Sequence, residues 1–123
     1  MKKNDHKISI QVSRKTLIVP IQYELNEQII ANLKIDLFAA IAQYPVKAVI
    51  FDMKGIQLID DVDLSELIKL ARMVNFVGLR TVICGLLPGV VATIVLLDIN
   101  WEDLQIAFDL DDAYKILKKP QKK

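Results

Sequence analysis

The order of patterns along this 123-residue chain predicts an α/β domain built on a single mixed sheet. Three observations carry that prediction. Two strand-like runs at the start are separated by a short polar turn, the pattern of a hairpin. Beyond them, helical apolar periodicity alternates with short apolar runs bounded by Pro and Gly. Those inner runs lack polar alternation, so they read as strands covered on both faces. The predicted order is β-β-α-β-α-β-α-β-α, about four helices on one sheet, with parallel strands joined by right-handed crossovers. A chain of this length is expected to be one domain over 1–123, with an ordered core at about 7–118.

Each element has a local reason. "ISIQV" (8–12) alternates apolar and polar residues, "SRK" supplies the turn, and "TLIVPI" (16–21) forms the second strand. Pro20 lacks a ladder donor and belongs near an edge or a strand end. Asn26 is placed to cap a helix whose stripe is Ile29, Leu33, Leu37 and Ile41, widened by Ile30 and Phe38. That helix is expected to end near Tyr44, because Pro45 disfavours helical geometry in the residue before it. "KAVIFDM" (47–53) is a buried strand. In the next helix Leu64, Leu67, Ile68, Ala71 and Val74 form the apolar stripe, with Glu66, Lys69 and Arg72 opposite and Gly78 as its stop. "LRTVICG" (79–85) is another buried strand, and Pro88 opens a helix at its first turn. "LQIAFDL" (104–110) alternates again, and Asp109 caps a last helix, "DDAYKILKK". The tail "PQKK" is expected to fray.

Composition narrows the function. With 53% hydrophobic and 25% charged residues the chain is globular, and a net charge of +1 gives no support for a nucleic-acid partner. No apolar run approaches the roughly 20 residues of a membrane span, and no hydrophobic signal region follows "MKKNDHK", so a cytoplasmic protein is expected. The single cysteine, Cys84, excludes an internal disulfide and reads as an inert buried thiol. The single histidine, His6, reads as solvated. The four glycines are scattered, so there is no phosphate-binding loop, and no nucleophile elbow or metal cluster is present. The chain therefore reads as non-enzymatic, with no cofactor and no metal.

The residues that stand out are in "IDDVDLSEL" (59–67), where Asp60, Asp61 and Asp63 crowd a strand-to-helix junction. Helix N-termini present unpaired N–H groups and a partial positive charge. Asp60 or Asp61 can cap them, and Asp60 and Asp63 stand in near-capping-box spacing. Such a cap plus one carboxylate facing the dipole contributes about 1–2 kcal/mol. On these grounds alone the cluster is a helix cap. The helix from Val90 to Leu97 is apolar nearly all round, so it is either deeply buried or shares its surface with a partner.

The segments "LIVPIQYELNEQ", "GIQLIDDVDLSELI", "VGLRTVICGLLPGVVATIVLLDI" and "FDLDDAYKILK" resemble, in order and nearly without gaps, the STAS domain family of anti-sigma factor antagonists. Within it they are most similar to the single-domain scaffolds of the stressosome. The resemblance implies the STAS fold. It also implies a protein that holds an RsbT-like serine/threonine kinase, assembles with RsbR-like STAS proteins and self-associates.

In the family an Asp followed by Ser or Thr opens this helix, and the hydroxyl is the kinase's target. Here Asp60 is followed by Asp61. A phosphate would bring about −1.5 to −2 charge, whereas Asp61 brings −1 permanently. Asp61 is then a fixed imitation of the phosphorylated state, the mark of a lost switch, or an engineered replacement. Two hydroxyls remain nearby: Ser65, one turn into the helix, and Thr93, the secondary candidate phosphosite, where related stressosome proteins carry a threonine that is a phosphorylation target in some of them. Ser65 reads as part of a solvated face and Thr93 as bonded to the preceding helical turn. Two other functions stay open: a soluble antagonist that binds an anti-sigma factor directly, and a small nucleotide-binding STAS module.

Overall fold

The computed structural model describes residues 7–22, 24–100 and 103–120. His6 and the last three residues of the tail lie outside them. The elements are β1 (Gln11–Ser13), β2 (Thr16–Pro20), α1 (Glu27–Gln43), β3 (Ala48–Asp52), α2 (Asp61–Phe76), β4 (Arg80–Cys84), α3 (Pro88–Leu97), β5 (Gln105–Ala107) and α4 (Leu110–Lys118). They form one mixed sheet in the order β1-β2-β3-β4-β5. β1 is antiparallel to β2, and all other pairs are parallel.

The strand period of two sorts the core into two layers. Leu17, Val19, Val49, Phe51 and Ile83 face one way, into a cluster with the apolar stripes of α1, α2 and α3. Ile50, Val82, Cys84 and Ala107 face the other way, against Ala113, Leu110, Tyr114 and Leu117 of α4. All five residues of β3 are therefore buried, as a sheet covered on both sides requires. Burial in the second layer, with Asp52 nearby, pushes the Cys84 thiol up to about 12, which makes it an inert group.

Local signals set the helix ends. Asn26 Oδ1 accepts the Ile29 N–H at 2.8 Å, and α1 stops one residue before Tyr44. Asp109 Oδ1 accepts the Asp112 N–H at 2.8 Å, and Pro88 is the first residue of α3. Gly78, just past α2, has φ +99°, a left-handed conformation that suits glycine.

The strands differ from expectation at their ends. β1 covers 11–13 rather than 8–12. Its register would set Ser9 opposite Pro20, which has no N–H to donate, so the ladder stops and Ile8 turns into the core instead. Ser13 joins the strand, leaving Arg14 and Lys15 as a two-residue turn with φ of 54° and 59°. β5 covers 105–107 rather than 104–110, because Asp109 leaves the strand to cap α4. β2, β3 and β4 are each trimmed by one residue at one or both ends.

Candidate functional site

β3 ends at Asp52, and the chain crosses 53–60 before α2 begins, so the acidic junction lies at the carboxyl end of the sheet. The three carboxylates have three different environments. Asp60 is the cap: its Oδ1 accepts the Asp63 N–H at 2.8 Å, and its carbonyl accepts the Leu64 N–H at 3.0 Å. Asp61 is the first helical residue and is exposed to solvent. Asp63, two residues on, is 9% exposed. Burial, then the nearby Asp60 and Glu27, raise its pKa above the usual carboxylate range. Thus one carboxylate holds the helix, one faces outward, and one is turned toward α1.

The remaining candidates fall on either side. Ser65 is exposed on α2. Thr93 is half-buried, and its hydroxyl donates to Gly89 O at 3.2 Å and to Ile59 O at 3.5 Å. The first bond is the expected one to the preceding turn. The second crosses to the segment leading into α2, and sequence gave no sign of it. Gly89 makes the same contact closer: a Cβ there would lie 2.4 Å from Gln57 O. Residues 57–59, just ahead of Asp60, are therefore held against the first turns of α3.

The surface around the junction is apolar. Leu58 is 69% exposed and Val62 65%. On α3 only Val90 and Ile94 are buried, while Val91, Val95 and Leu96 stand in solvent. That helix is therefore not deeply buried, and it leaves an apolar face in solvent. Sequence analysis did not single out Leu58, Val62 or Phe76. The signal was available for the last two, since both are apolar residues off the buried stripe of α2. Among the described residues no cluster of His, Cys, Asp and Glu is arranged to hold a metal, and no helix is long and apolar enough to cross a membrane.

A five-stranded mixed sheet with three crossover helices on one face and a fourth on the other, together with an acidic helix start at its carboxyl edge, defines the class. The STAS domain family model matches residues 7–113, and the chain belongs to that family. The proteins it is similar to include a chain of the stressosome and an anti-sigma factor antagonist. The RsbT co-antagonist protein RsbRB of Bacillus subtilis is 23% identical over 104 residues; the match covers 85% of this chain but only 38% of that longer protein. A Ser-to-Glu variant of RsbS from Moorella thermoacetica superposes with a TM-score of 0.79 at 22% identity, covering 90% of this chain and 94% of that one. A chain of the stressosome, described as a signal integration and transduction hub, gives 0.79 at 23% identity, covering 89% and 96%. The anti-sigma factor antagonist SpoIIAA in its unphosphorylated form gives 0.69 at 16%, covering 93% and 99%.

Proposed function

We propose that this chain is a non-enzymatic, RsbS-like regulator of a stressosome. It holds a serine/threonine kinase of the RsbT type and releases it under stress, and Asp61 occupies the position where relatives carry the phosphorylatable hydroxyl. RsbR-like STAS proteins are its assembly partners, in the cytoplasm. The observation that carries the reading is the placement of Asp61. It is a solvent-facing charge in the first turn of α2, beside the capping Asp60 and within a surface that includes exposed Leu58 and Val62. A name built on RsbT co-antagonism in one relative, and the stressosome origin of another, lend it support.

The mechanism is local electrostatics. A partner docking at the α2 start meets a permanent −1 where a relative presents a neutral hydroxyl or a phosphate of about −1.5 to −2. The permanent charge biases the bound fraction in the direction phosphorylation does, by a smaller step. Asp60 contributes by fixing the helix start, so that the charge has a defined position.

Incubation with an RsbT-type kinase and ATP, read by mass spectrometry, tests the assignment. The native chain is expected to take no phosphate at residue 61, and Asp61→Ser is expected to take one there. Stoichiometric phosphate on Ser65 or Thr93 of the native chain would move the switch and defeat the assignment. The likeness to SpoIIAA favours a second reading, a soluble antagonist that binds an anti-sigma factor directly. Light scattering with an RsbR-like partner separates the two: a chain that never enters a larger complex supports the second.

A further inference from the structure

The two ends of the sheet carry opposite charge. At its carboxyl end α1, α2 and α4 each open with acids in the first turn: Glu27, Asp61 with Asp63, and Asp111 with Asp112. At its amino end four segments, 13–16, 43–47, 75–80 and 115–120, contain no Asp or Glu. Backbone and side-chain contacts hold these four together. The Lys47 N–H donates to Lys15 O at 2.8 Å, and the Arg80 N–H donates to Lys47 O at 3.2 Å. The Arg80 guanidinium donates to Lys119 O at 2.6 Å, and the Arg14 guanidinium lies 4.5 Å from the centre of the Tyr114 ring. Lys15 and Lys47 therefore stand side by side ahead of adjacent strands, about 4.8 Å apart, and the end of α4 brings Lys118 and Lys119 to the same rim. All four lysines are exposed, and among the described residues none of them takes part in a salt bridge. Two acids, Asp98 and Asp103, stand ahead of β5; Asp103 is held by Arg72 at 2.9 Å, so the free charge at this end is positive.

Apolar side chains stand out from the same rim. Phe76 is 93% exposed and Val77 55%, where α2 ends and the chain turns back into β4. Tyr44 is exposed where α1 ends, three residues before Lys47. A lipid surface offers the matching order, headgroup charge over an apolar interior. The choice of cation points the same way. Arginine is the residue whose fork pairs with carboxylates at fixed positions, and here Arg14 is spent on the Tyr114 ring and Arg80 on the carbonyls that end α4. The free cations are lysines, point charges that a diffuse anionic field attracts without fixed partners. Distance keeps the acidic end out of that field. The five residues of β3 alone span ~16 Å, about twice the ~8 Å Debye length at physiological salt.

We propose that the amino end of the sheet docks on an anionic lipid bilayer, with Lys15, Lys47, Lys118 and Lys119 among the headgroups and Phe76 and Val77 entering the interface. A chain seated in this way turns the start of α2 away from the membrane. The surface lies at the opposite end of the sheet from the acidic junction, so the proposal neither needs nor supports the assignment of Asp61.

Co-sedimentation of the full chain with vesicles of equal parts phosphatidylglycerol and phosphatidylcholine tests it. Binding is expected at ~0.1 M salt and is expected to vanish at ~1 M, where the Debye length falls to about 3 Å. Vesicles of phosphatidylcholine alone are expected to leave the chain in the supernatant. A lysine near an anionic surface is worth roughly fivefold in affinity, so Lys15→Gln combined with Lys47→Gln is expected to weaken binding about twentyfold. Phe76→Ser, at a solvated position, is expected to weaken binding with no loss of thermal stability, which separates the surface from the fold. A chain that ignores the anionic vesicles overturns the proposal. So does binding that either variant leaves unchanged. Tighter binding to soluble poly-glutamate than to the vesicles also overturns it, and makes an acidic protein the partner.

Discussion

Replacing Gly89 by Ala decides how the α2 entrance is held. The change adds one methyl at the second residue of α3. Helix propensity alone predicts stabilisation, since Ala exceeds Gly by about 0.8–1 kcal/mol in a helix interior. The surroundings predict the opposite. The new Cβ lies 2.4 Å from the Gln57 carbonyl oxygen and 2.9 Å from Leu58 Cδ2. Leu58 is an exposed side chain and can rotate away. The carbonyl is backbone, and must shift by roughly 1 Å to reach an ordinary carbon contact. Overpacking of this kind costs ~1–3 kcal/mol. The shift also pulls Ile59 O from the Thr93 hydroxyl, a bond that contributes about 1 kcal/mol. Subtracting the propensity gain leaves a net loss of about 2 kcal/mol. Urea unfolding followed by circular dichroism measures it as a lower midpoint at unchanged slope. Amide shifts at 57–61 report the displaced segment. A variant as stable as the parent, or more stable, refutes the claim that α3 pins this segment.

Three further outcomes are expected. Arg80 donates to Lys119 O at 2.6 Å and Gln105 Oε1 at 3.1 Å, with longer contacts to Leu117 O and Ile116 O, so it ties the end of α4 to the sheet. Arg80→Met is expected to cost about 2 kcal/mol, two charged hydrogen bonds less the relief of a buried Nε that has no partner among the described residues. Hydrogen exchange should show the loss first in α4, and uniform protection there argues against the clamp. Asp63 has a folded pKa above its unfolded one, so its charged form is disfavoured by folding and stability is gained as pH falls through the raised value. Asp63→Asn is accordingly expected to raise the melting temperature at pH 7, with the advantage shrinking in acid; an advantage independent of pH contradicts the burial argument. Asp103 acts in the opposite sense: the Arg72 guanidinium, at 2.9 Å, lowers its pKa, and its contribution is lost as pH falls.

The element order was legible because the signals for it act within a turn or two of chain. Asn26, Asp60 and Asp109 each cap a helix three residues ahead, and Pro88 starts one, with no help from distant residues. Unbroken apolar runs at β3 and β4 likewise announced a sheet covered on both sides. The sequence by itself determined the kind and order of the elements and that an acid at 60 or 61 caps α2. It could not say where β1 begins, because that depends on Pro20 lying across a strand pair from Ser9. Nor could it say which of three neighbouring acids faces solvent, how much of α3 stays in solvent, or that Gln57 and Gly89 touch. Those were decided only in three dimensions, since burial is fixed by surfaces brought together from far apart in the chain, whereas caps and turns depend on neighbours a few residues away.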